Sequence, residues 1–391
     1  MTEMQAAFPR PVRKLWLAVV AGAVLGGAAA SARTQSGTIG AAANAAASTT
    51  IVGTTAGASW RIDMPAHWNH KLVVYYHGYS QQPVTYKQTP PNGFERQFLG
   101  RGFALIQSGY SHTGYAVQYA LPETEALREM FVARYGQPAE TYVIGHSMGG
   151  ELTMATIEQA PYTYTGALAL CGLLGASDLH LQDMFAKVAA FDYYFPGVLP
   201  PLDPVPDSFQ ANGAFVRKLI RTLQANPRGA AAMRQLRLLH NNQDLARTMM
   251  FHVFVIQDMQ HKAGGNPFDN RNYIYTGTDD DRALNDGVKR YAASGSAAQY
   301  LTRYYTPSGR LLRPMLAVHT TYDPLINPTS VFPYTQTVTR AGFSSNFVQQ
   351  YVEADGHCKI TPQQTGIAFD ELLTWVHTDK RPKPGSLPEA K

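Results

Sequence analysis

Short apolar runs alternate with segments of helical period along most of the chain, and this alternation predicts the elements. Residues 60–64 alternate apolar and polar positions and stop at Pro65, as an edge strand does. Residues 71–76 form a continuous apolar run of the buried parallel kind that ends in His77-Gly78. Residues 94–101 read as a helix and 102–108 as the next strand. Residues 123–135 form an amphipathic helix, with Thr124, Leu127, Met130 and Phe131 at helical spacing. Residues 142–144 are a short buried strand, 151–160 a helix stopped by Pro161, and 166–171 another buried strand. Such alternation predicts an α/β fold with right-handed crossovers and a mainly parallel sheet flanked by helices.

From 174 to 312 the rhythm breaks. Proline-rich turns (Phe195-Pro196, Leu199-Pro200-Pro201, Pro204, Pro206) separate helical patterns near 214–225, 230–239 and 282–293. Residues 251–256 suit a strand and a buried helix equally. The strand pattern resumes at 314–319, followed by a helix over 328–340, a last strand over 346–353 and a helix over 361–378. The 174–312 segment is therefore expected to be a large helical cap or lid inserted into one α/β core made of 59–173 and 313–379. Residues 380–391, with three prolines, are expected to be a frayed tail.

The N-terminal segment changes the picture of where the protein works. Arg10, Arg13 and Lys14 precede an apolar run over 15–30, and Ala30-Ser31-Ala32 closes it. This is the pattern of a signal peptide cleaved after Ala32, with the mature chain secreted or periplasmic. The run is too short and too rich in Ala and Gly for a permanent membrane span. Residues 33–58, rich in Ala, Thr, Ser and Gly, are expected to be a flexible leader. The net charge of +5 is spread in nothing longer than pairs such as Lys380-Arg381, which argues against a nucleic-acid-binding stripe. Two cysteines, Cys171 and Cys358, remain in an oxidising compartment and allow one bridge or two buried thiols.

The chemistry centres on Gly145-His146-Ser147-Met148-Gly149, which lies between a strand and a helix. Glycines two residues to either side of Ser147 let the turn tighten until the hydroxyl stands above the sheet, the arrangement of a nucleophile elbow. A serine hydroxyl needs a base, and the base needs a carboxylate to orient it. His357 and Asp323 each follow a predicted strand on the same carboxyl edge, in the order Ser, Asp, His, with Asp355 as the competing carboxylate. An oxyanion needs two backbone donors. The amide of Met148 is one candidate, and the turn at His77-Gly78-Tyr79 supplies the other, with Tyr79 preferred to Gly78. His146 and His319 are read as packing residues and Asp279-Asp280-Asp281 as a solvated turn, so no metal is expected. Tyr193-Tyr194-Phe195 and Tyr304-Tyr305 suit either a pocket wall or the cap core.

Taken together and in this order, His77-Gly78, the elbow at Ser147, Asp323-Pro324 and Gly356-His357 resemble the α/β-hydrolase superfamily over residues 60–378 with the cap excepted. The export signal, Trp68-Asn69 before the His-Gly strand and the Gly-His-Cys ending are similar to secreted bacterial esterases of the feruloyl-esterase and polyester-depolymerase kind. In tannase-like feruloyl esterases a cysteine directly precedes the nucleophile and pairs with one after the histidine. In this chain position 146 is His, so any bridge joins Cys171 to Cys358.

The expected activity is that of an exported serine hydrolase acting on a small-molecule or polymeric ester through an acyl-enzyme, with no cofactor. The same three residues serve a peptidase, an amidase or a C–C bond hydrolase, and a non-catalytic binding protein on this scaffold is the reading from another class. The sequence leaves the oligomeric state open.

Overall fold

The computed structural model describes residues 48–389. The expected signal peptide and the first part of the expected leader lie outside these residues. Nine strands form one sheet: β1 (Thr49–Thr55), β2 (Ala58–Met64), β3 (Lys71–Tyr76), β4 (Ala104–Ser108), β5 (Glu140–His146), β6 (Gly166–Leu170), β7 (Met315–Tyr322), β8 (Phe347–Asp355) and β9 (Gly385–Ser386). Their spatial order is β1-β2-β4-β3-β5-β6-β7-β8-β9, with β1, β2 and β4 pairing antiparallel and every pair from β4–β3 onward parallel. The sheet is mainly parallel and flanked by helices, the α/β architecture that the alternation of elements predicts. Parallel strands share a carboxyl edge, so the residues following β3, β5, β7 and β8 emerge on one side of the sheet.

The helices are α1 (Glu95–Leu99), α2 (Val117–Tyr135), α3 (Met148–Gln159), α4 (Ser177–Tyr194), α5 (Gly213–Ala225), α6 (Pro227–Arg237), α7 (Asn242–Ala263), α8 (Asp281–Gly287), α9 (Tyr300–Arg303), α10 (Phe332–Arg340) and α11 (Pro362–Thr378). Strand period sorts the core into two layers. Val73, Tyr142, Ile144, Leu168 and Leu316 pack with Phe98 of α1 and Phe369 and Trp375 of α11. Their strand neighbours Leu72, Val74, Val143, Ala167 and Ala169 face the opposite way, against α2, α3 and the cap.

Two expectations need correction, and one open alternative is decided. The supposed leader carries β1 and the start of β2, joined by Ala56-Gly57 at φ 50° and 85°. That is the two-residue turn whose left-handed pair matches strand twist, and the β-branched content of Thr49–Thr55 outweighs its low-complexity look. The tail is docked rather than frayed: β9 pairs with β8, Leu387 is buried, and Arg381 donates to the carbonyls of Ser344 and Phe347. Residues 251–256 lie inside α7, the longest cap helix, and the described part of 174–312 contains no strand. Among the described residues no helix is long and apolar enough to cross a membrane.

Candidate active site

Ser147 sits between β5 and α3 with φ 58° and ψ −122°, a conformation few side-chain-bearing residues adopt. Its neighbours explain how the strain is held. A Cβ on Gly145 would stand 2.0 Å from the Gly149 carbonyl oxygen, and one on Gly149 would stand 2.1 Å from the Tyr76 oxygen. The Ser147 amide donates to Leu170 O at 3.0 Å, which pins the turn to β6. Backbone approach this close is possible only without side chains at 145 and 149.

Asp323 follows β7 and its side chain is buried; His357 follows β8 and is partly exposed. Nδ1 of His357 lies 2.7 Å from Asp323 Oδ2, and Nε2 lies 2.8 Å from Ser147 Oγ. Asp323 Oδ1 accepts from the amides of Leu325 and Ile326 at 2.9 and 3.0 Å. Burial works against its charge, but His357 and the Ile326 amide outweigh burial and hold its pKa below the usual aspartate value. An ionised carboxylate only accepts, so Nδ1 carries the proton and Nε2 is left to accept from the serine. The competing carboxylate, Asp355, lies at the exposed end of β8.

Gly78 packs directly on Ser147. A Cβ there would stand 3.1 Å from Ser147 Cβ and 3.2 Å from His146 O. The backbone that carries the Tyr79 amide thus passes over Ser147, while the Met148 amide opens α3 beside it. Tyr79 is held from the cap: its hydroxyl donates to Asp258 Oδ2 of α7 at 3.0 Å, and the same carboxylate accepts from the Tyr115 amide at 2.8 Å and from Lys262 at 2.5 Å.

Cys171 and Cys358 are joined by a disulfide. His146 contacts Tyr75 Oη through Nδ1 at 3.2 Å and packs against Phe94; burial, then the charge of His357, bring its pKa down to about 4. His319 is buried with Nδ1 on Thr320 O. Asp279 pairs with Arg228, Asp280 caps α8, and Asp281 accepts from Thr278 and Gly277. Phe195 and Tyr305 belong to the cap core.

A cavity of about 290 Å³ opens at Ser147 and His357 and runs between core and cap. Its apolar wall includes Leu181, Met184, Phe251 and Val255 from α4 and α7, with Leu325 and Ile326 from the loop after Asp323. Sequence reasoning did not find its polar members. Glu151, one turn into α3, is fully buried and accepts from Tyr115 Oη at 2.6 Å and from Ser177 Oγ, while its Oε2 has no partner. Burial pushes its pKa up to about 7 against the pull of those two donors. Lys187, Asp183, Arg237 and His252 reach the cavity from α4, α6 and α7. Nothing in the sequence marks a single charged residue on a cap helix as facing inward, so these four carried no signal.

A profile for a tannase-like family of unknown function matches residues 32–183, a stretch that includes the elbow. No curated protein sequence matches the chain. Among solved structures, an esterase of Pyrococcus furiosus is 10% identical with a TM-score of 0.43, covering 84% of this chain and 89% of its own. A membrane phospholipase A described as a bacterial virulence factor is 11% identical with a TM-score of 0.42, covering 85% and 88%. The acylaminoacyl peptidase of Pyrococcus horikoshii is 8% identical with a TM-score of 0.42, covering 84% of this chain and 41% of its own. These are distant likenesses of chain path.

Proposed function

We propose that the protein is an exported serine hydrolase that cleaves carboxylic esters through an acyl-enzyme. The observation that carries this reading is one imidazole shared by two partners: His357 contacts Ser147 Oγ at 2.8 Å and Asp323 at 2.7 Å, at the mouth of the cavity. Ser147 Oγ attacks the ester carbonyl carbon as its proton passes to Nε2 of His357. Asp323 keeps the proton on Nδ1 and stabilises the imidazolium. The carbonyl oxygen becomes an oxyanion that takes hydrogen bonds from the amides of Met148 and Tyr79, each contributing about 10²–10³ in rate in comparable sites. Collapse breaks the bond to the alcohol oxygen, which leaves with the proton from His357. Water, deprotonated by His357, then releases the acid and restores Ser147.

Esters are favoured over amides because residues 32–183 match a family described as tannase-like. Met1–Ala32 completes the reading as an export signal removed after Ala32. The test is Ser147→Ala against the wild type, both assayed on p-nitrophenyl esters and aminoacyl amides and both exposed to a fluorophosphonate that labels the wild type. Ester turnover should fall by several powers of ten and labelling should vanish. Ester hydrolysis that survives the substitution, or amide turnover exceeding ester turnover, overturns the reading.

A further inference from the structure

The cavity wall holds a cation with no hydrogen-bonded acceptor. Arg237 closes the last turn of α6, is nine-tenths buried and lines the cavity. Its Nε has no partner, and among the described residues no acceptor is hydrogen-bonded to its guanidinium and no ion pair includes it. The carboxylate that acts on it through charge alone is already engaged: Asp183 holds Lys187 Nζ at 2.8 Å on Oδ2 and accepts from Tyr273 Oη at 2.5 Å on Oδ1. Beside Arg237, His252 is buried on α7 with Nδ1 unpartnered, and it lines the same cavity. Burial, then the charges of Arg237 and Lys187, drive its pKa well below the usual histidine value, so it is a neutral ring with one N–H to give. The cavity's other carboxyl, Glu151, is occupied by Tyr115 and Ser177.

Proteins do not leave a buried guanidinium unpaired without reason, because stranding a charge in low dielectric is destabilising and buried polar groups are normally satisfied. The carboxyl end of α6 offsets part of that penalty through the helix dipole, but it makes no hydrogen bonds to the five N–H groups. The missing partner is supplied by what enters the cavity. A guanidinium fork matches a carboxylate bidentately. The charge count selects among anions. Lys187 and Asp183 cancel, His252 is neutral and Glu151 is largely protonated below about pH 7, so one positive charge is left over there, which a carboxylate balances and a phosphate dianion would overshoot.

We propose that Arg237, assisted by His252, anchors a free carboxylate on the substrate, so that the preferred substrates are esters whose cavity-bound part ends in a carboxylate. This rests on the ester-hydrolase reading and narrows its substrate class. The carboxylate docks at the cap while the scissile carbonyl lies at Ser147, and the apolar wall of Leu181, Phe251 and Val255 covers the chain between them.

Monomethyl esters of straight-chain diacids, compared with methyl esters of monoacids of equal length, test it in the wild type, Arg237→Met and Arg237→Lys. A matching series of acetylated ω-hydroxy acids and alkanols covers attachment on the alcohol side, and phosphonate-ended esters form a third arm. The wild type should favour the carboxylate member at one chain length by about tenfold or more in kcat/KM, as a charged hydrogen-bonded pair allows. Arg237→Met should bring that ratio close to one, and Arg237→Lys should restore part of it. Independently of turnover, the free diacid of the preferred length should raise the melting temperature of the wild type and not that of Arg237→Met. Equal rates for charged and neutral esters at every length in both series overturn the proposal, as do an unchanged ratio in Arg237→Met and a preference for the phosphonate. Neutral-ester turnover that requires Ser147 but shows no charge preference defeats the anchor alone. Turnover that ignores Ser147→Ala defeats the hydrolase reading instead.

Discussion

Cys171, immediately after β6, is disulfide-bonded to Cys358, the residue that directly follows His357. Both cysteines have left-handed backbones, at φ 46° and 55°, and the Cys171 amide donates to Val318 O of β7 at 2.8 Å. The imidazole therefore stands one residue from a covalent tie to the end of β6, the strand beside the one that leads to Ser147. Breaking the tie in Cys171→Ala/Cys358→Ala should destabilise the fold by about 2–5 kcal/mol and lower kcat more than it changes KM, because the loop that presents His357 is loosened. Thermal melting and steady-state kinetics with and without dithiothreitol check this, with thiol titration to confirm reduction. A fully reduced protein with unaltered kcat would show that the loop holds itself.

Gly78 lacks a left-handed φ, so alanine is conformationally acceptable there and its effect must come from contact alone. The added methyl would meet Ser147 Cβ at 3.1 Å and has to push the Tyr79 backbone away by some tenths of an ångström. Gly78→Ala should cut kcat by roughly ten- to a hundredfold, since donors to an oxyanion tolerate little displacement, while the melting temperature moves by only a few degrees. A variant with normal kcat would place the second oxyanion donor elsewhere.

Asp323 Oδ2 is the acceptor that fixes the tautomer of His357. Asp323→Asn keeps the size but presents a group that can donate, so the ring is free to take the wrong tautomer. A loss of about 10³–10⁴ in kcat is expected, by comparison with the same change in serine proteases. Retention of more than a tenth of wild-type kcat would mean that another group orients the imidazole.

Glu151 has a folded-state pKa of about 7 against 4.5 for an ordinary glutamate. The folded protein therefore binds more protons than the unfolded chain between those two values. Its contribution is most favourable below about pH 4.5, is lost as pH rises through that window, and is fully unfavourable above about 7. The shift corresponds to roughly 3 kcal/mol. Glu151→Gln retains an acceptor for Tyr115 and Ser177 and cannot ionise. It should melt close to the wild type at pH 5 and several degrees higher at pH 8. Parallel melting curves across that range would refute the assignment.

The readability of the chain followed local physics. The residues after β5, β7 and β8 could be picked out because apolar strands ending in Gly-x-Ser, Asp-Pro and Gly-His carry their signals within a few positions, and His357 does meet Ser147 and Asp323. The disulfide was open because two cysteines 187 positions apart pair only through the sheet order. Pro122 hid the first turn of α2, which begins at Val117 and tolerates the proline inside it. The expected helix over 282–293 ends at Gly287, where the chain turns extended at Val288. Arg237 lies on an expected helix and His252 in a stretch that suits a strand and a buried helix equally, but which side of a cap helix faces a cavity depends on packing that no single-residue spacing encodes.

The carboxylate of Asp258 joins three parts of the molecule: Tyr79 in the turn over Ser147, the amide of Tyr115 before α2, and Lys262 one turn along α7. A hinged cover would have to tear that junction apart on every turnover and rebuild it before the next. The roof over this reaction is better understood as masonry than as a door, so that what gets in is chosen by the bore of a standing passage and not by the timing of an opening.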